Sequence, residues 1–223
     1  MAYKFDFSTI LPYWDMLLHG IVLTTELTVI GAVFGVALGT LGAWARSAKT
    51  PVISPIVGIY VELIRNTPFL VQLFFIFFGL PALGVRMGEF EAAVLAMVVN
   101  LGAYSTEIIR AGIQSIPRGQ IEAAASLAMN RVQIFRYVVI LPALKKIWPA
   151  LSSQIVIVML GSSVCSQIAA EELTFAANYI QSRNFRAFEV YFVVAGLYLV
   201  MSIVLRWLLK KIGNRMFERR RHV

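Results

Sequence analysis

Long apolar runs constrain this chain more than any other feature. The first extends from about Leu17 to Trp44 and contains one acidic residue, Glu26. About 20 apolar residues in a helix cross a bilayer, and soluble cores rarely need runs of that length. Of the 223 residues 59% are apolar and 14% are charged, against about a quarter charged in soluble domains. The chain is therefore predicted to be an all-α polytopic membrane protein, which excludes a soluble enzyme, a disordered tail and a disulfide scaffold.

Cysteine, histidine and net charge narrow the function classes further. Cys165 is the only cysteine, which excludes an internal disulfide or a cysteine metal cluster. His19 and His222 are too far apart in the sequence for a local metal motif, so no metal site is predicted. The formal charge of +8 indicates orientation in a membrane, because Lys and Arg accumulate in cytoplasmic loops. Nucleic acid is not an expected partner.

A proline interrupts the second apolar stretch. As one helix, residues 52–81 would be about 45 Å long, too long for a hydrocarbon core of about 30 Å. Pro68 removes a helical hydrogen bond and disfavours helical geometry at Thr67. The sequence therefore predicts an interfacial helix at 52–65 and a span near 67–83.

The remaining apolar runs predict three further spans. They lie at about 88–110, 147–168 and 186–209, and a more polar segment at 111–146 joins the first two of these. Five spans place the termini on opposite sides of the membrane. No internal repeat or linker is evident, so residues 1–223 are predicted to form one domain.

Basic residues set the expected orientation. They are concentrated after the first span, after the third span and in the C-terminal tail, whereas charges balance in the other loops. These residues are Arg46, Lys49, Arg118, Arg131, Arg136, Lys145, Lys146, Lys210, Lys211, Arg215, Arg219, Arg220 and Arg221. Because positive charge marks cytoplasmic loops, we expect the N-terminus outside and the C-terminus in the cytoplasm.

The segment at about 118–142 is the strongest functional candidate. Glu122 lies near the start of a predicted helix, where an acid complements the helix dipole. The small side chains of Ala123 and Ala124 allow another surface to approach closely. The residues alone leave two interpretations open: a docking element for a cytoplasmic partner, or an interfacial helix that only joins two spans.

Several motifs in this order resemble one transport family. The run Glu122-Ala123-Ala124, with a small residue at 128 and Pro142 after Leu141, resembles the EAA loop of bacterial ABC importer permeases. Residues 104–120, 62–68 with Gln72, and 172–177 look like the polar amino acid uptake branch, the HisMQ-like permeases. The resemblance covers roughly residues 17–212. It departs at Ala128, where the family usually has glycine, and the Leu-Pro pair falls one residue later than is common.

The resemblance implies a type I importer fold in which two permease subunits, identical or related, pair around a translocation path. Each inserts its EAA helix into a cytoplasmic ATPase dimer, and an extracytoplasmic binding protein delivers the amino acid. It assigns Glu122, Ala123, Ala124, Ala128 and Pro142 to the ATPase contact. This chain has no Gly-x-x-x-x-Gly-Lys-Ser/Thr run, so ATP and Mg are expected on the partner ATPase, and neither a cofactor nor enzymatic activity on this chain.

Two other function classes stay open at this point. A stand-alone, proton-coupled secondary amino acid transporter would relay protons through Glu107 or Glu26, although many such carriers contain internal repeats. A scaffold subunit would need no translocation path. The EAA-like run favours the importer, because neither alternative needs an ATPase dock, and a bacterial inner-membrane location follows.

Two acid–base pairs lie within or beside the predicted spans. Glu107 with Arg110, and Glu62 with Arg65, are each three residues apart and so share a helix face. The first pair is expected to support the cytoplasmic end of its span, and substrate contact is the second interpretation of either pair. The second lies beside Pro68, where a gate or hinge is a further interpretation.

The resemblance also indicates a substrate class. Family positions like 154 and 161 often face the cavity, and acidic residues there suit basic substrates. Here they are Gln154 and Gly161, so we expect a neutral or acidic amino acid. The expected contacts are drawn from Asn66, Thr67, Gln72, Asn100, Tyr104, Gln154, Ser162 and Ser163.

Overall fold

The computed structural model describes residues 4–47 and 51–217, and these residues form helices and connections without a strand. A 3-10 turn at Phe7–Tyr13 leads into the first helix. The helices are α1 (Trp14–Ser47), α2 (Ile53–Arg65), α3 (Phe69–Ala82), α4 (Glu89–Gln114), α5 (Arg118–Ser126), α6 (Arg131–Ile168), α7 (Leu173–Asn184) and α8 (Ala187–Phe217).

Helix length and apolarity give four to five candidate spans. Within the described residues, α1, α4, α6 and α8 are each long and apolar enough to cross a membrane. The helices α2 and α3 qualify only together, and they are bent by 112° at their junction. The predicted break at Pro68 is therefore confirmed. The orientation of the termini stays a prediction, and Lys49, Arg219, Arg220 and Arg221, on which it partly depends, lie outside the described residues.

The fourth long helix begins much earlier than expected. The span predicted at about 147–168 lies inside α6, which already starts at Arg131. Asn130 and Gln133 form a reciprocal capping box there, in which each side chain accepts a backbone N–H of the other. Pro142 does not end the helix because a wider π turn at Ile134–Ile140 precedes it. A π turn changes the pairing of the backbone hydrogen bonds, so the N–H that proline lacks is not needed at this point.

Glycines allow α1 and α4 to pack at close range. A methyl carbon added to Gly35 would lie 2.8 Å from Cβ of Leu101 on α4. Gly31, Gly39 and Gly42 face α4 in the same way. Small residues at a helix contact are typical of membrane proteins, where close backbone packing replaces the hydrophobic effect as the driving force.

A buried polar network joins α1, α7 and α8 at the end of the bundle where α7 begins. Glu172 is fully buried and caps α7 by accepting the Phe175 N–H at 2.9 Å. Tyr198 of α8 donates its hydroxyl to the same carboxylate at 2.5 Å. The neighbouring N–H of Leu173 donates to the Thr24 hydroxyl of α1 at 3.1 Å. The network explains how a short polar helix is held among long apolar ones.

Candidate functional site

A partly open cavity of about 450 Å³ lies between the α2–α3 corner, α4 and α6. Its lining combines an amide-rich and hydroxyl-bearing part with an apolar part, and none of its lining residues is charged. The lining residues are Thr67, Pro68, Phe69, Asn100, Tyr104, Gln154, Ile157, Val158, Gly161 and Val164. Pockets of this kind, apolar with a few placed polar groups, are typical small-molecule sites.

The corner between α2 and α3 forms one wall of the cavity. Side chains there satisfy backbone carbonyl groups at the end of α2. The Asn66 amide donates to the Glu62 carbonyl at 2.8 Å, and the Thr67 hydroxyl donates to the Leu63 carbonyl at 2.8 Å. These bonds end α2 where Pro68 cannot continue it. Because α2 ends there, Thr67 and Pro68 line the cavity. A regular helix through this point would have filled that side of the cavity.

Four of the eight expected substrate contacts line the cavity. They are Thr67, Asn100, Tyr104 and Gln154, although they are up to 87 residues apart in sequence. Gln72 lies behind the wall, where its amide nitrogen bonds the corner and its oxygen accepts from Asn100 at 2.9 Å.

The other three residues do not line this cavity, and their contact with the substrate stays a prediction. Asn66 does not line the cavity, and its amide is used to end α2. The hydroxyls of Ser162 and Ser163 donate to the Met159 and Leu160 carbonyls at 2.6 and 2.8 Å. They lie outside the cavity because helical spacing places Ser162 and Ser163 about 80° and about 180° around the axis from Gln154.

The lining residues that sequence reasoning missed are apolar. Phe69, Ile157, Val158 and Val164 form most of the apolar wall. Ile157 and Val158 follow Gln154 by three and four residues, so helical spacing from that glutamine was a usable signal. Phe69 had no such signal, because the turn at the corner determines its direction.

Arg65 and Glu62 do not form the expected pair. No ion pair joins them in the described part of the chain, and both are exposed. The guanidinium of Arg65 instead lies over the ring of Tyr104, 5.6 Å from its centre. A cation over an aromatic face is a favourable contact. The contact places Arg65 next to Tyr104, which lines the cavity.

Glu107 and Arg110 form an ion pair at the end of α4. The Arg110 Nε donates to Glu107 at 3.0 Å, and the same carboxylate accepts from Arg46 of α1 at 3.1 Å. All three side chains are about one quarter exposed. Sequence reasoning missed Arg46 as a partner, because the contact joins residues 61 positions apart.

The coupling segment, residues 118–142, presents most of its predicted contacts to the outside. Glu122, Ala123, Ala128 and Pro142 are exposed. Ala124 is different: it is only 5% exposed and lies on the face of α5 that this chain itself covers. The place of Ala124 in the ATPase contact stays a prediction, and its small size is what would let the helix approach the partner closely.

The loop after α5 ends the helix in a left-handed turn. Ala128 has a φ of 57°, and its N–H donates to the Ala125 carbonyl at 3.0 Å. The N–H of Met129 donates to the Ala124 carbonyl at 3.3 Å. These two bonds form a Schellman motif, whose left-handed position favours glycine. The geometry accounts for the glycine that the resemblance leads us to expect at this position.

Large apolar side chains next to this turn are unusually exposed. Leu127 is 78% exposed and Val132 is 73% exposed. Phe135 and Tyr137 follow on the same segment and are also exposed. Large exposed apolar patches mark contacts with a protein partner or with the membrane. Leu127 and Val132 were not singled out from the sequence, because their exposure depends on the tight turn between them.

An all-helical membrane chain with a polar cavity beside a helix break, and an exposed helical segment between two spans, has the organisation of a transport subunit. The sequence matches the binding-protein-dependent transport system inner membrane component family over residues 17–218. The chain belongs to this family and is a multi-pass inner membrane protein.

Similar proteins agree with this assignment over nearly the whole chain. The glutamine transport system permease protein GlnP of Escherichia coli strain K12 is 35% identical over 215 residues, 96% of this chain and 98% of that protein. The L-cystine transport system permease protein TcyB of Bacillus subtilis strain 168 is 36% identical over 194 residues, 86% of this chain and 83% of that protein.

Solved structures share the fold. The crystal structure of an amino acid ABC transporter with histidines superposes with a TM-score of 0.88 at 37% identity, covering 96% of this chain and 100% of that one. The inward-facing MetNI methionine ABC transporter has a TM-score of 0.71 at 21% identity and covers 93% of this chain and 97% of that one. The fold is that of a type I ABC importer permease subunit.

Proposed function

We propose that this chain is the permease subunit of an ATP-driven importer of neutral polar amino acids, with a glutamine-like molecule as the leading candidate. The cavity carries the proposal: its polar groups are amides and hydroxyls, and none of its lining residues is charged. Such groups match the amide and ammonium of a neutral polar amino acid. The permeases for glutamine and L-cystine among the similar proteins support the same substrate class.

The coupling segment supports a cytoplasmic ATPase as the partner. Exposed Glu122, Ala123, Leu127 and Val132 form one outward surface at α5 and the turn after it. This surface is the proposed dock, and ATP and Mg bind on the ATPase. A second permease subunit completes the translocation path, and an extracytoplasmic binding protein delivers the substrate. The basic end of the bundle, which carries the coupling segment, faces the cytoplasm.

A proton-coupled carrier has little support among the candidate residues. Glu107 is paired with two arginines, an arrangement that stabilises its charged form and disfavours proton uptake. Glu26 lies on the exposed face of α1, away from the cavity lining. Neither acid connects to the polar wall formed by Asn100 and Gln154.

The test is purification of the tagged chain from its native membrane in mild detergent, followed by mass spectrometry of the proteins that come with it. We expect a stoichiometric ATPase, with or without a second permease. Reconstituted vesicles should then take up glutamine only when ATP and the binding protein are supplied. A chain that is isolated alone and transports on a proton gradient would overturn the proposal.

A further inference from the structure

The corner between α2 and α3 contains a buried amide with a fixed orientation. Pro68 has no N–H, so the Ile64 carbonyl four residues earlier lacks its helical donor. Nε2 of Gln72 lies 2.7 Å from that oxygen and 3.0 Å from both the carbonyl and the hydroxyl oxygen of Thr67. Gln72 is 7% exposed. Its nitrogen must face the corner, because the reverse orientation would bury oxygen against oxygen and leave polar groups unpaired.

The orientation of Gln72 determines that of Asn100. Oε1 of Gln72 accepts a hydrogen bond from Nδ2 of Asn100 at 2.9 Å. Reversing the Asn100 amide would bring two carbonyl oxygens together. Asn100 lines the cavity, and its oxygen has no donor among the hydrogen bonds of the described residues. That oxygen is therefore left as an acceptor for a molecule in the cavity.

We infer that Gln72 is a positioning residue that turns the Asn100 carbonyl oxygen toward the cavity to accept an N–H of the transported molecule. The chain of hydrogen bonds starts at the backbone break of Pro68 and ends at the substrate. Gln72 itself does not line the cavity. The inference rests on the proposed function, because it assumes that the cavity holds the amino acid. The donor is an N–H group of either the α-ammonium or a side-chain amide.

Two substitutions of Gln72 separate positioning from structural support. Gln72→Met has a similar length, and it removes both the donors to the corner and the acceptor for Asn100. Gln72→Glu also removes the donors to Ile64 and Thr67, but its carboxylate still accepts from Asn100. Both variants should lower the thermal unfolding temperature, since both leave the Ile64 carbonyl unpaired. Only Gln72→Met frees the Asn100 amide to rotate.

The readout is ligand preference in the purified complex of this chain with its ATPase, without the binding protein. Saturation-transfer NMR would compare glutamine with glutamate, which lacks the amide N–H, and with glutaramate, which lacks the α-amino group. In Gln72→Met we expect the preference for glutamine over at least one analogue to fall about tenfold, the effect of one hydrogen bond. The analogue whose binding improves relative to glutamine lacks the N–H group that donates to Asn100, and so identifies that donor. In Gln72→Glu the preference should stay at or above its native value.

Equal losses of preference in both variants would overturn the inference, because Gln72 would then act only by holding the corner. Unchanged preference in Gln72→Met would overturn it as well. If Gln72→Met does not assemble, Gln72→Leu takes its place, because it also removes the acceptor for Asn100: a tenfold fall with native preference in Gln72→Glu supports positioning, and an unchanged preference contradicts it. A native complex that binds none of the three ligands would contradict the proposed function first, and the inference with it.

Discussion

Glu107 of α4 accepts hydrogen bonds from Arg46 of α1 and from Arg110 of its own helix. The carboxylate is thus shared between two arginines at the basic end of the bundle. It joins α1 to α4 where their glycine-lined contact ends. The arrangement assigns Glu107 a structural role at the coupling end of the chain.

Replacing Glu107 by Gln should destabilise the protein. Two partly buried guanidinium groups would lose their counter-charge, which we expect to lower the free energy of unfolding by about 1–3 kcal/mol, given that the site is partly exposed. Thermal unfolding in detergent measures this change. Glu62→Gln is the matched control, because Glu62 is exposed and unpaired with Arg65 in the described structure. Equal unfolding temperatures for the two variants would contradict the structural role.

Ala128→Gly should stabilise the coupling segment. Ala128 holds a left-handed backbone conformation, which glycine adopts without strain, so we expect a gain of about 1 kcal/mol. Ala125→Gly in the exposed part of α5 should have the opposite effect, a loss of up to about 1 kcal/mol. Hydrogen exchange of the amides in residues 118–130 measures both. The expectation fails if Ala128→Gly increases exchange.

Glu122→Lys should leave membrane insertion intact and weaken coupling to the ATPase. Glu122 lies about 200° around α5 from buried Ala124, so it faces outward and contributes nothing to the chain's own packing. The measurement is substrate-stimulated ATP hydrolysis in reconstituted vesicles. Gln120→Lys is the control, because Gln120 lies on the side of α5 nearer to Ala124. Full stimulation in Glu122→Lys would show that Glu122 does not serve the dock.

The spans were predictable wherever apolar length alone decided them. The runs that became α1, α4 and α8 have no competing signal, and Pro68 identified the α2–α3 break correctly. The start of α6 at Arg131 was not predicted, because the sequence analysis located only the apolar run from about 147. A capping box at Asn130 starts the helix, and a π turn lets it continue past Pro142. Composition does not predict this local geometry.

The candidate cavity was predictable only in part, for reasons of local geometry. Thr67, Asn100 and Gln154 were among the expected contacts because the family resemblance indicates which polar positions face the substrate path. Ser162 and Ser163 lie outside the cavity because they follow Gln154 by eight and nine residues, which turns them away from its helix face. The burial of Ala124 was not predictable, because it depends on how α5 packs against its own chain, which spacing along one helix does not reveal.

Filling the cavity tests the central claim most directly. A side chain added to Gly161, which lines the cavity, would meet no atom within 4 Å of its Cβ, and the same holds for Gly196 on α8. Gly161→Phe should therefore fold and assemble, yet reduce ATP-driven glutamine uptake into vesicles at least about tenfold, because the ring occupies the space of the substrate. Gly196→Phe should transport normally. Full uptake by Gly161→Phe would contradict the account, since the cavity could not then be the path of the amino acid.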